Sequence, residues 1–174
     1  MKIEIQLAKF EEKHLLKRML ELYFYDFSGF EENDLNEFGE YGYRYFDHYW
    51  TETERHPFIV KVDGKLAGFV FVNRFGYTKG VEQTIAEFCI LRKYRQKGIG
   101  KRTAFYIFDQ FPGIWEIRTQ KENKVAQAFW SKVISEYSNE SMKEFKDGTC
   151  DWNGPLWTFE SKTKTEHIGG CNSE

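Results

Sequence analysis

Proline and cysteine are both scarce in this chain: there are 3 of each among 174 residues. With so few prolines, long irregular connections are not expected to dominate. The cysteines, Cys89, Cys150 and Cys171, are odd in number and lack metal-ligand spacing. That excludes a disulfide framework and a zinc ribbon, and suits a reducing compartment. No apolar run approaches the roughly 20 residues of a membrane-spanning helix. The opening MKIEIQLAKFEEKH has neither the apolar core nor the small-residue cleavage site of a signal peptide. The expected location is the cytoplasm. A net charge of -2 offers no general attraction to nucleic acid or to an anionic membrane, so neither is an expected partner. No metal is expected either.

What is present points to an ordinary globule, with 41% hydrophobic and 30% charged residues. Aromatics are abundant at 18%, from 17 Phe, 10 Tyr and 5 Trp. The length suits one domain, expected over residues 1–161, with a polar, frayed tail over 162–174.

Ile3, Ile5 and Leu7 alternate as a strand with one buried face. Leu16, Leu20, Tyr23 and Phe27 then form a helical stripe that Ser28-Gly29 ends. The segment FEENDLNEFGEYGYRYFDHYWTETER (30–55) is acidic and aromatic; Tyr45, Tyr49 and Trp50 would share a face of a second helix. PFIVKV, Asp63-Gly64 and LAGFVFV spell a hairpin with a tight two-residue turn. VEQTIAEFCIL (81–91) is a third long strand, apolar towards its end and so central. A helix follows with Gly100, Ala104, Ile107, Phe108 and Phe111 on one face, stopped by Pro112-Gly113. IWEIRT is a short strand. Asn123 stands at an N-cap before Ala126, Phe129, Trp130, Val133, Ile134 and Tyr137. A weak strand after 141 and PLWTFE close the pattern.

Between the central strand and the helix lies YRQKGIGK (94–101), a glycine-rich turn of the kind that holds phosphate. The nucleotide P-loop template fails, because Arg102 follows Gly100-Lys101 and Arg95 stands where its first glycine belongs. The dinucleotide fingerprint fails at Thr103, where its third glycine belongs. Arg95-Gln96-Lys97-Gly98-Ile99-Gly100 fits a third pattern, a basic residue, two variable positions, then Gly-x-Gly. Small residues bare the backbone, successive N–H groups share one concavity, and the helix N-terminus adds partial positive charge. Arg95, Lys97 and Lys101 would add mobile charge at the rim.

AEFCIL, RQKGIG and NKVAQAFW, in this order, resemble the GNAT superfamily of acetyl-CoA-dependent N-acetyltransferases. The likeness runs from about Ile3 to Phe159, and within it EFCILRKYRQKGIG, FPGIWEI and AFWSKVI resemble a bacterial group of predicted acetyltransferases without a settled substrate. The resemblance implies an α+β fold: a central, mostly antiparallel mixed sheet of six to seven strands, splayed at the cofactor site, flanked by about four helices. It implies acetyl-CoA as cosubstrate, its pantetheine arm pairing with backbone groups of Phe88, Cys89, Ile90 and Leu91. The pyrophosphate would lie on amides from Gln96 to Lys101, past Gly98, Ile99 and Gly100. Asn123 would contact the cofactor or simply cap its helix. The Phe88 amide would polarise the thioester carbonyl.

An amine attacks a thioester only when neutral. A lysine-like amine, with a pKa of about 10.4, is neutral at pH 7 about once in 2,500 molecules, a handicap of roughly 4.6 kcal/mol. The site must therefore accept a proton. Glu87 is the candidate, a carboxylate in a strand that reads as buried. It alternates onto the face of Cys89 and Leu91; were that the helix-covered face, water or a carboxylate of 30–55 would serve instead. The superfamily's usual tyrosine acid is matched by Trp130, which cannot donate a proton as an acid. Trp130 is then a wall of the cofactor site, and the thiolate leaves unaided or with help from Ser131 or a tyrosine of 41–49. Cys89 has no histidine motif and reads as a small buried residue, not a nucleophile.

The expected reaction is direct acetyl transfer, in a ternary complex, to a primary amine of a small molecule, peptide or protein. A CoA-binding sensor or interaction module without turnover is the alternative. Tyr41, Tyr45 and Tyr49, among carboxylates, would wall the acceptor site and suit a cationic guest. The chain would be a monomer, or a homodimer through a sheet edge near its carboxyl end.

Overall fold

The computed structural model describes residues 1–29 and 31–162. The tail from 163, with Cys171 and His167, lies outside the described residues.

Seven strands form one sheet in the order β1-β2-β3-β4-β5-β7-β6. They are β1 (Ile3–Leu7), β2 (His56–Val62), β3 (Lys65–Asn73), β4 (Gln83–Ile90), β5 (Gly113–Arg118), β6 (Met142–Phe145) and β7 (Leu156–Ser161). Every neighbouring pair is antiparallel except β4 with β5. The hairpin from β2 to β3 turns on Asp63 (φ 48°) and Gly64 (φ 75°), the left-handed pair a two-residue turn needs.

Three α-helices cover the sheet: α1 (Lys13–Phe27), α2 (Ile99–Gln110) and α3 (Lys124–Ser138). The further helix expected in 30–55 is only a short 3-10 turn, Asp47–Trp50. Gly39 and Gly42, both at positive φ, break the run before one can propagate. Two apolar clusters lie on opposite faces. Ile99, Ile107 and Phe108 of α2 join Trp130 and Ile134 of α3 against Val60, Val70 and Trp115. Leu16 and Leu20 of α1 join Tyr49 against Ile59, Phe69, Phe71 and Cys89. Burying each such side chain contributes about 1.5–3 kcal/mol, enough to hold three layers α/β/α in register.

Two irregularities shape the centre. At β3–β4, Phe71 faces Glu87 whereas Val72 faces Ile85, so Ala86 is an extra residue, a bulge. On the other side, β4 pairs with β5 at Gln83 and Thr84 alone, opposite Trp115 and Glu116. Beyond Thr84 the two parallel strands splay apart.

Candidate active site

The splay leaves one edge of β4 open. Leu91 donates its N–H to the Ala67 carbonyl of β3 at 2.8 Å. Alternation then turns Cys89 and Glu87 towards β3 as well, and turns the Phe88 and Ile90 backbone groups towards the gap. Of the four residues expected to pair with pantetheine, Phe88 and Ile90 thus face the gap with their backbone, and Cys89 and Leu91 face β3. Leu91 is spent, since its carbonyl also accepts from the Tyr94 N–H at 2.8 Å. The Ile90 carbonyl accepts from Arg95 Nε at 2.7 Å. Phe88 is left with its backbone facing the gap.

The chain then turns through Gln96 (φ 60°) and Gly98 (φ 74°) into α2. Among the described residues, nothing accepts a hydrogen bond from the amides of Gln96 through Lys101. Such a row of bare donors at a helix N-terminus is a seat for an anion. The two glycines do different work. Gly98 supplies the left-handed backbone, whereas a Cβ on Gly100 would stand 3.2 Å from the Phe129 ring, so Gly100 lets α3 approach α2.

The basic side chains behave differently from expectation. Arg95 is not a mobile cation at the rim: besides the Ile90 carbonyl, its guanidinium holds Asp26 of α1 at 3.2 Å. Arg92 holds the same carboxylate at 2.6 Å, and the two arginines keep Asp26 below the usual carboxylate range despite partial burial. Lys101 reaches away to Glu136 of α3 at 2.8 Å. Lys97 is the one of the three that is exposed with no ion-pair partner among the described residues.

Asn123 is a helix cap: its Oδ1 accepts the Ala126 N–H at 3.0 Å. Trp130 is 6% exposed, its ring centroid 4.9 Å from that of Phe88 and 6.4 Å from that of Phe108. It packs under the open edge of β4, on the face away from α1.

Glu87 lies on the α1 face with Cys89 and Phe71. It keeps some solvent contact, yet protein surrounds it on nearly every side. Burial pushes its pKa up to about 7, although Tyr23 and Tyr43 hydrogen-bond to the carboxylate and oppose the shift. Glu31 adds to the rise, and Arg118 opposes it. The α1 face is therefore covered, yet it is covered by hydroxyls.

Tyr23 and Tyr43 were not legible as site residues. Tyr23 reads as one more apolar step of the α1 stripe, and Tyr43 hides among neighbouring tyrosines. The tyrosines expected to wall an acceptor site separate. Tyr49 is 3% exposed within the core, its hydroxyl accepting from Asn73 Nδ2 at 3.3 Å. Tyr45 is 41% exposed and lies under the Arg44 and Arg55 guanidinium groups. Tyr41 is tied by its N–H to Glu21 at 2.7 Å. Of the three, Tyr49 stands near Glu87 and hydrogen-bonds Tyr43. Cys89 is buried, and burial pushes its thiol up to about 11, so it is no nucleophile.

A separate concavity of about 750 Å³ opens between α1 and residues 40–47. Its walls mix Lys13, Lys17 and Arg44 with Glu21, Glu40 and Asp47, and none belongs to β4 or to the turn. Among the described residues, no His, Cys, Asp and Glu side chains gather in threes to hold a metal, and no helix is long and apolar enough to cross a membrane.

A splayed parallel pair, an open strand edge and a row of bare amides thus lie together at the end of β4. The chain belongs to the acetyltransferase (GNAT) family, whose model matches residues 16–134. Solved structures share the fold. An acetyltransferase of the GNAT family from Staphylococcus aureus Mu50 is 14% identical, with a TM-score of 0.62, covering 92% of this chain and 100% of that one. PaiA N-acetyltransferase from Thermoplasma acidophilum, solved in complex with coenzyme A, is 14% identical, with a TM-score of 0.61 and coverage of 92% and 99%. The ribosomal-protein-S18-alanine N-acetyltransferase of Escherichia coli is 12% identical, with a TM-score of 0.58 and coverage of 96% and 99%. No curated protein sequence matches the chain.

Proposed function

We propose that the chain transfers the acetyl group of acetyl-CoA directly to a primary amine, with Glu87 as proton acceptor. The observation that carries this reading is the adjacency on β4 of a carboxyl poised near neutrality and a backbone facing the splay, at Glu87 and Phe88. The fold fits the cosubstrate: the amides from Gln96 to Lys101 suit its pyrophosphate, and the open edge at Phe88 suits its pantetheine arm. When bound, it supplies an activated acetyl group. The chain's own residues do the rest. The Phe88 N–H stabilises negative charge at the carbonyl oxygen. Glu87, ionised above about pH 7, takes the proton from the incoming ammonium, directly or through one water. Trp130 supports Phe88 from below and donates no proton. A leaving thiol with a pKa of about 8.5 departs without a dedicated acid.

The acceptor is a primary amine of a small molecule, peptide or protein. The buried position of Trp130 also favours a second reading, a CoA-binding module without turnover. One experiment separates them: thiol release from acetyl-CoA across a panel of amines, for the wild type and for Glu87→Gln. Amine-dependent release that falls about 10²–10⁴-fold in the variant supports the base. Unchanged release in the variant removes Glu87 from the mechanism, and silence with every amine, alongside CoA binding, selects the module.

A further inference from the structure

Glu116 of β5 is fully buried, and the acetyl transfer makes no direct use of it. A carboxylate in such a place persists only when its bonds are supplied. Its Oε1 accepts the Tyr77 N–H at 3.0 Å and its Oε2 the Thr78 N–H at 2.7 Å, which ties the connection between β3 and β4 to β5. Arg118, next along the same face of β5, donates from Nη1 to Glu116 Oε1 at 3.0 Å and to the Phe75 carbonyl at 3.2 Å. Its guanidinium carbon lies 4.6 Å from the Tyr77 ring centroid and 5.5 Å from that of Trp152, and these two rings stack at 6.0 Å.

Arg118 is therefore held in place before any ligand arrives, and all of its hydrogen bonds use Nη1. Nε and Nη2, side by side on the other edge, have no hydrogen-bond partner among the described residues, and neither is sealed from solvent. The side chain keeps 16% of its surface exposed. Two parallel N–H groups on one guanidinium edge form the fork that takes both oxygens of a carboxylate.

The position of that edge matters. Thr84 and Glu116 are the last pair before β4 and β5 part. Arg118 lies two residues beyond on β5, and Glu87 three beyond on β4. Trp115 and Ile117 pack with α2 and α3, so Arg118 lies on the α1 face with Glu87. Glu31, after α1, reaches the same end of β5: its carboxylate accepts from Gln120 Nε2 at 2.8 Å. Its other printed partner, Asn33 Nδ2 at 2.7 Å, is neutral as well. The gap thus has carboxylates on its α1 and β4 side and a guanidinium edge on its β5 side.

We propose that Arg118 is a specificity-determining residue whose Nε–Nη2 edge seats a carboxylate of the acceptor, which makes the acceptor an amino acid, and that Glu116 is the positioning residue that fixes this edge. The proposal rests on acetyl transfer with Glu87 as base. A zwitterion matches the gap end for end, with its ammonium towards Glu87 and its carboxylate towards Arg118. Arg118 moves no proton and breaks no bond; it holds the acceptor while Glu87 takes the ammonium proton. A phosphate, with nearly two negative charges, suits the gap less, because Glu116 already offsets the one arginine and Glu31 and Glu87 repel anions.

The test reads Arg118 itself, by nitrogen-15 NMR of its Nε–H, identified as the signal missing in Arg118→Lys. The protein, with and without CoA, is titrated with the common α-amino acids, their β- and γ-homologues, and their N-acetyl derivatives. At least one should move the signal downfield, and its methyl ester should not. In thiol release from acetyl-CoA, kcat/KM for that amino acid should exceed that for the amine of the same chain without its carboxyl group by about 100-fold. Arg118→Lys keeps a charge beside Glu116 but lacks the fork, so the ratio should fall to within about threefold of one. Glu116→Gln with Arg118→Gln removes the buried pair together, and the ratio should fall equally. CoA binding serves in both as the check that the variant is folded.

A signal that no amino acid moves would overturn the proposal, as would an ester that acts like its acid. Lower stability with the ratio retained would also overturn it and leave Arg118 as a clamp on the connection before β4. A signal that moves without thiol release from any amine supports the carboxylate seat and removes acetyl transfer, so the two readings fail separately.

Discussion

The turn after β4 and the segment before β2 both border the proposed site, and they are built on opposite principles. The turn works through its backbone. Its amides are bare from Gln96 to Lys101, while its cationic side chains, Arg95 and Lys101, are engaged with Asp26 and Glu136. The segment works through side chains. Tyr43 brings a hydroxyl to Glu87, while the backbone that carries it has, among the described residues, no regular structure beyond one 3-10 turn. A backbone site depends on φ angles and small residues, so substitutions that add a side chain should damage it and charge removal should not. A side-chain site depends on single atoms, so removal of one hydroxyl should register.

The largest effect is expected where a substitution attacks the backbone directly. Gly98 sits at φ +74° with open space around it. Gly98→Asp adds backbone strain of about 1–2 kcal/mol and a negative charge beside the bare amides. CoA affinity, measured by calorimetry, should fall about 100-fold. An affinity unchanged by this variant would take the turn out of the site.

The next effect concerns Glu87 and carries a sign. Its folded pKa, about 7, lies above the ordinary 4.5. A carboxyl shifted upward binds its proton more tightly when folded, so its stabilising contribution is complete below about pH 4.5 and is lost as pH rises through about 7. Glu87→Gln cannot ionise. Relative to wild type it should gain about 1–3 kcal/mol at pH 9 compared with pH 4 in denaturant unfolding, while losing activity. Equal pH dependence of the two proteins would mean that Glu87 is not desolvated.

Smaller again is Gly100→Ala. The added methyl meets Phe129 at 3.2 Å, and forcing α2 from α3 should cost about 1–2 kcal/mol. CoA affinity should fall only several-fold, because the amides stay bare. The smallest effect belongs to Lys101→Met. It breaks an exposed pair with Glu136, worth about 0–1 kcal/mol, and should leave CoA affinity within about threefold of wild type. A tenfold loss would show that the turn holds phosphate by charge after all, and would erase the contrast with the segment.

The same contrast explains what the sequence disclosed. Strands, helices and the turn are local: Asp63-Gly64, the Gly98/Gly100 spacing and the Asn123 cap each express a nearby backbone need and appear in the fold, and Ile3–Leu7 is a strand although Leu7 is exposed. The splay of β4 from β5 came from the resemblance, since no run of residues encodes where two strands part. Tyr23 and Tyr43 were hidden for a further reason. Their meaning comes from Glu87, far along the chain, and an aromatic stripe looks the same whether its hydroxyls meet solvent or a carboxylate. The helix expected in 30–55 does not form, because helical spacing of aromatics does not offset Gly39 and Gly42 at positive φ. The engagement of Arg95 is likewise not legible locally, because Asp26, its partner, is distant in sequence.

The central claim is that the open edge of β4 and the amide turn form a seat for coenzyme A. Thermal unfolding of the purified protein with CoA, acetyl-CoA, ATP or NAD at equal concentration tests it most directly. At a concentration of 100 times Kd, a ligand stabilises the folded state by about 2.7 kcal/mol. Both thioester-related ligands should raise the melting temperature by several degrees and the two nucleotides should not. No shift with CoA, or an equal shift with ATP, would contradict the account.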